Sequence, residues 1–329
     1  MPKPSKSGLK PQFCLFIILI LFFGATASPA AAKVTDWKVM PVLFLCPVEY
    51  ISVAPFRGGR KFIIMGFQGI SEKKFMGRHS NRFWEIDCLR GFAVILMLGY
   101  HFLYDLDFFG LADIELRSGT FLYIGRGAAF LFILISGAAL SISRSRALAN
   151  WTSGKPAENF SKYLKRGLRL FSMGMIITGI TWVFFPGQYI LFGILHFFGV
   201  SAVLAYPFLK YGKENLFFGL FFGIVGFYLK DRTFEFSALL WLGFRPEGFI
   251  TLDYFPLFPW FGILLTGIFL GNSLYKGGNR QFKVPEADNF LLQKFVSWVG
   301  KRSLFIYFIH QPLFLGLLLL SGLLDPGML

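Results

Sequence analysis

The sequence predicts an all-α, polytopic integral membrane helix bundle of about seven transmembrane helices in one domain. Three observations predict it. Hydrophobic residues make up 55% of the 329, 44 of them Phe, and the mean hydropathy is +0.58, more apolar surface than a soluble chain of this length has to bury. Apolar runs of the roughly 17–25 residues that cross a bilayer recur along the chain. Lys and Arg collect in alternate connections between those runs, the pattern that marks loops retained in the cytoplasm. No internal repeat or low-complexity tract interrupts the series.

The first span, near 88–106, is opened by "RFWEIDCLRG" and closes in "ILMLGYHFLYDLDFFG". The second, near 120–142, carries Arg126 between Gly125 and Gly127. The third, near 166–184, is entered through Lys162, Lys165, Arg166 and Arg169. The fourth, near 188–209, carries His196 in "ILFGILHFFGV", and the fifth and sixth lie near 215–230 and 256–275. The seventh, near 303–323, starts behind Lys301 and Arg302 and carries His310, with Gln311-Pro312 implying a local distortion.

The net charge of +15 would suggest nucleic acid in a soluble protein; its placement argues for a membrane and against nucleic acid. Arg144, Arg146, Lys155, Lys162, Lys165 and Arg166 face only Glu158 between the second and third spans. Lys210 and Lys213 follow the fourth, and Lys276, Arg280, Lys283, Lys294, Lys301 and Arg302 separate the sixth from the seventh. The other connections hold Asp105, Asp107, Asp113 and Glu115 with Arg117, then the uncharged "FFPGQ", then a mixed stretch from Lys230 to Asp253. This predicts a multi-pass protein of the inner (plasma) membrane, with the start of the domain cytoplasmic and the C-terminus at Leu329 outside.

Residues 1–75 conflict with that topology. "MPKPSKSGLKPQFCLFIILILFFGATASPAAAK" reads as a signal peptide with small residues suited to cleavage near Ala32, which would export the chain from Lys33 onward. The expectation is a signal-like or spurious N-terminal extension over 1–75, a start at Met76, and a transmembrane domain over 76–329. Cys14, Cys46 and Cys88 have neither metal-ligand spacing nor a disulfide framework, and no metal is expected.

Ionisable groups at bilayer depth are functional candidates by default. At ~1.5 Å per residue, His101 is about two-thirds of the way across. His196 is ~12 Å and Arg126 ~9 Å from the outer face on the same ruler, while His310 falls in the inner half. His101 and Asp105 are spaced i, i+4, so Asp105 can accept from one imidazole nitrogen and leave the other as a base. The bland alternatives are packing histidines at 196 and 310, and an ion pair from Arg126 to Asp105 or Asp107. At the inner end, Arg82, Arg90, Arg166 and Arg302 can receive the phosphates of a nucleotide-bearing donor, or simply anchor the spans.

Five blocks in order, "RFWEIDCLRGFAVILM", "YHFLYDL", "GILHFFGV", "DYFPLFPWFGILLTG" and "SLFIYFIHQPL", resemble the heparan-α-glucosaminide N-acetyltransferase catalytic-domain-like family, in its prokaryotic branch, formerly a domain of unknown function. Their opening is also similar to the wider transmembrane acyltransferase group. The resemblance implies transfer of an acetyl or other acyl group from cytoplasmic acyl-CoA (acetyl-CoA typically) to an amine or hydroxyl of a sugar or glycan at the outer side. The animal enzymes are longer, and their catalytic histidine lies beyond the first span, whereas His101 is within it. On this reading His101, Asp105 and Arg126 are catalytic, His196 and His310 line the path, and Arg82, Arg90, Arg166 and Arg302 hold CoA. Besides acyl-CoA and the amino-sugar or glycan acceptor, the bilayer is a partner, and homo-oligomerisation stays open. Two readings from other classes compete: a transporter or flippase with the same polar cavity, and a b-type haem protein with two of the histidines as axial ligands.

Overall fold

Residues 82–116, 119–149, 159–284 and 291–324 are described by the structure, a computed structural model of the chain. The expectations placed on residues 1–75, Arg117, Lys155, Glu158 and Leu329 lie outside the described residues. Eight α-helices form among them: α1 (Trp84–Phe108), α2 (Gly119–Ala149), α3 (Phe160–Phe184), α4 (Ile194–Leu204), α5 (Glu214–Leu229), α6 (Leu257–Leu274), α7 (Leu291–Lys301) and α8 (Ser303–Leu320). Helices α1, α2, α3, α6 and α8 are long and apolar enough to cross a membrane, while α4 and α5 are shorter apolar helices. The chain is therefore an all-α multi-pass membrane bundle.

Two elements differ from expectation. The fourth span shrinks to the eleven residues of α4, about 16 Å of rise and half a bilayer. It ends where Pro207, which has no N–H to donate, enters a 3₁₀ turn at Tyr206–Lys210. Helix α7 escapes a hydropathy reading because Gln293, Lys294 and Ser297 interrupt its apolar run; its period, rather than its mean hydropathy, carries the signal.

Backbones cross where side chains are absent. A Cβ on Gly137 would run into Leu264 of α6, and one on Gly267 into Leu134 of α2, so these two helices approach at small residues as packed membrane helices do. The central cluster fills around this crossing with Ile133, Phe197, Phe261, Leu264, Leu265 and Ile268. On α5, by contrast, Phe217, Leu220, Ile224 and Phe227 stay exposed, the surface a helix presents to lipid.

Two connections place chemistry. Between α5 and α6, the segment 251–255 runs parallel to 188–192: Leu252 N–H donates to Gln188 O (2.9 Å), Phe255 N–H to Phe192 O (3.0 Å) and Thr251 Oγ1 to Tyr189 O (2.8 Å). This carries Asp253 to the start of α4. At the other end of α6, Glu85 at the start of α1 receives Arg280 through Nε (2.8 Å) and Nη2 (2.7 Å), and the Tyr275 hydroxyl (3.0 Å). Burial and the neighbouring Glu85 carboxylate hold the Tyr275 phenol above its usual range.

Candidate functional site

Helices α1 and α8 meet through polar side chains, in the last turns of α1 and the middle of α8. The His101 and His310 rings lie edge to face with centroids 4.9 Å apart. One turn on, Gln311 Nε2 donates to Asp105 Oδ1 (3.0 Å), and Phe102 packs on Phe314. Asp105 is 3% and His310 5% exposed.

The tautomers follow from the partners, because a carbonyl only accepts. His101 Nδ1 lies 2.9 Å from Met97 O, and His310 Nδ1 2.6 Å from Tyr307 O. Both rings therefore carry the proton on Nδ1 and keep the Nε2 lone pair. His310 Nε2, Asp105 Oδ2 and Gln311 Oε1 are buried without a hydrogen-bond partner, three of the seven such side-chain atoms among the described residues. Buried polar atoms are ordinarily satisfied, so three orphans at one helix contact mark a place that suits a hydrogen-bond donor.

Helix α8 runs unbroken through Pro312. Proline has no N–H for the carbonyl of Phe308 four residues back, so the helix tolerates a weakened turn beside the pair.

Several expected positions shift. The sequence ruler puts His101 and His310 at different depths; they share one layer, because α8 starts about 15 Å, nearly three turns, farther in than α1 does. The spacing of His101 and Asp105 does not make a hydrogen bond: Met97 O holds the ring and Gln311 takes the carboxylate. Arg126 is exposed on α2, with neither the ion pair to Asp105 or Asp107 nor a contact with His101 among the described residues; Asp107 Oδ1 instead accepts from Ile114 N–H (3.2 Å).

His196 belongs to another environment. Gly193 N–H donates to its Nδ1 (3.3 Å), leaving Nε2–H to face Thr178 Oγ1 (3.3 Å), while that hydroxyl donates to Ile190 O (2.6 Å). Phe171 and Phe192 flank the ring. Both nitrogens are engaged, so the ring joins α3 to α4 and has no free lone pair.

Asp253, not among the candidates drawn from the sequence, sits at the start of α4. Its Oδ2 accepts from Ile194 N–H (3.0 Å). Burial pushes its carboxyl up to about 6, against the pull of the Ile194 and Tyr254 amides. Its place inside "DYFPLFPW" is the one signal that could have found it, and the partner Ile194 is 59 residues away.

At the far end of α1, Arg90 pairs with Asp87 (3.3 Å) and lies within electrostatic range of Arg82 and Arg166. Arg302 is exposed, its guanidinium 4.6 Å over the Trp298 ring. Arg82, Arg90 and Arg166 are thus close enough for their charges to act on one another.

A family model described as heparan-alpha-glucosaminide N-acetyltransferase, catalytic, matches residues 82–312, more than half of the chain and every polar side chain of the α1–α8 contact. No curated protein and no solved structure matches.

Proposed function

Given that the chain belongs to the heparan-alpha-glucosaminide N-acetyltransferase catalytic family, we propose that it moves an acyl group, acetyl in the simplest case, from acyl-CoA at the Arg90 end of α1 to an amine or hydroxyl of a sugar presented from the opposite side. The observation that carries this reading is the group of unpaired acceptors around the His101–His310 contact. An amine or hydroxyl acceptor brings N–H or O–H donors, and Asp105 Oδ2, Gln311 Oε1 and the imidazole lone pairs are complementary to them.

The chemistry needs one base. As the acceptor nitrogen or oxygen attacks the thioester carbonyl, its proton passes to His101 Nε2, the C–S bond breaks, and the proton leaves with the CoA sulfur as the thiol. Met97 O fixes the His101 tautomer that makes this possible. His310, with the same tautomer, is the second candidate for the same proton. Asp105 acts on the acceptor and on Gln311 instead of orienting His101.

Arg82, Arg90 and Arg166 are suited to the CoA phosphates. From Arg90 to His101 the helix rises about 16 Å, the distance the donor's arm has to cover. The basic connections argue that this end is cytoplasmic.

Edge-to-face contact of the His101 and His310 rings leaves no room for a porphyrin between them, which counts against the haem reading for that pair. A carrier remains the rival. Purified protein incubated with labelled acetyl-CoA and an amino sugar decides between them: labelled N- or O-acetyl product with release of CoA thiol supports the enzyme, and acceptor movement without acylation refutes it.

A further inference from the structure

Helix α7 has no part in that chemistry, and at eleven residues, about 16 Å, it is too short to cross a bilayer. Its surface divides three ways. One side is locked to α1: Gly300 lies against Asp87 and Gly91, and Ser297 Oγ sits 3.0 Å from Cys88 Sγ and 3.4 Å from Trp84 O. A second side is apolar and open, with Leu291 83% and Leu292 70% exposed and the Phe295 and Trp298 rings stacked beside them. Along the edge run exposed Lys294 and Lys301, followed by Arg302 over Trp298. None of these three cations is ion-paired among the described residues.

An apolar face, a cationic edge and a tryptophan between them is the build of a helix lying in the plane of a membrane interface. At 100° per residue, Leu292 and Val296 fall on the side of α7 away from Lys294 and Lys301. There they line an open groove of about 380 Å³ against Trp84, Leu89 and Phe92 of α1. Cations on one edge and a greasy groove on the other match a lipid whose head is charged and whose tail is not.

We propose that α7 is a docking surface for acidic phospholipid, with Lys294, Lys301 and Arg302 holding the phosphate-bearing headgroups and the α1–α7 groove taking an acyl chain. Charge complementarity selects an anionic headgroup over a zwitterionic one. It also disfavours a second copy of the chain, whose α7 would bring the same cations to the contact. The inference stands independently of the acyl-transfer reading, since its readout is lipid binding.

The test is native mass spectrometry of the full chain, with thermal unfolding in parallel, on titration with phosphatidylglycerol or phosphatidylcholine. Phosphatidylglycerol is expected to bind more tightly and raise Tm, with the preference shrinking as salt rises. Each cation removed should weaken phosphatidylglycerol binding about fivefold, so Lys294→Gln/Lys301→Gln/Arg302→Gln loses the preference. Arg232→Gln, in the connection between α5 and α6, should keep it. If the triple variant fails to fold, the single exposed change Lys294→Gln carries the fivefold test. Equal binding of the two lipids, or an unchanged preference in the variants, overturns the proposal. So does a disulfide between two copies of Leu291→Cys, which would give this face to a second chain.

Discussion

Replacing Asp105 by Asn separates a substrate-holding carboxylate from a structural one. Asp105 is 3% exposed, its Oδ1 is occupied by Gln311 Nε2 at 3.0 Å, and its Oδ2 has no partner. The asparagine oxygen can still accept from Gln311, so the α1–α8 contact survives. What changes is the other atom: an NH₂ stands where a carboxylate oxygen was, and donors then confront the donors of an incoming amine. Losing a hydrogen bond to a charged group costs about 1.5–3 kcal/mol, which is about 10- to 150-fold in kcat/KM for the acceptor. The assay is steady-state acyl transfer with acyl-CoA saturating and the amino-sugar acceptor varied. The loss should fall on the acceptor, with the KM for acyl-CoA and the unfolding temperature close to those of the parent. Unchanged acceptor kinetics would refute the role given to Oδ2. A loss confined to the acyl-CoA KM would move the carboxylate to the donor side. Asp105→Leu supplies the contrast, since it also strands Gln311 Nε2 and should destabilise by about 1–3 kcal/mol.

His101→Ala should lower kcat by about 10²–10⁴-fold while CoA still binds; a dead His310→Ala beside a fully active His101→Ala would transfer the base to α8. Arg82→Gln with Arg166→Gln should weaken CoA binding measured by calorimetry, less so at high salt, and undiminished affinity would remove the phosphates from this end; Arg90 is spared because its loss would strand buried Asp87. Asp253, with a folded pKa of about 6 raised from 3.8 by burial, contributes stability that is full below its unfolded value and lost as pH rises through about 6. Asp253→Asn, which can still accept from Ile194, should therefore flatten the decline of Tm between about pH 4 and 6; an unaltered slope would assign that decline to other groups. A cysteine at Lys213 in intact cells should resist a membrane-impermeant thiol reagent and one at Glu247 should react, with the reverse pattern inverting the orientation.

Much of the bundle was readable because lipid imposes a simple rule: apolar runs long enough to cross must be helices, and α1, α2, α3, α6 and α8 appear where those runs lie. Candidate histidines were readable for the same reason, as polar groups in the wrong solvent. Their roles were not. His196 and His310 look alike in sequence, each a lone imidazole in an aromatic run, yet one has both nitrogens bonded and the other keeps a bare Nε2. That difference depends on Gly193, Thr178 and Tyr307 O, and no periodicity in one helix encodes it.

Depth failed for a related physical reason. A ruler of 1.5 Å per residue measures position within a helix but says nothing of where that helix begins. Just before α8, Gly300 of α7 comes against the backbone of Asp87 and Gly91 because neither glycine has a Cβ to hold it off. Farther along, α8 starts about 15 Å deeper than α1 does, which puts His310 beside His101 and Gln311 beside Asp105. The proposed reaction centre therefore depends on where α8 begins relative to α1, which no count of residues within one span reports.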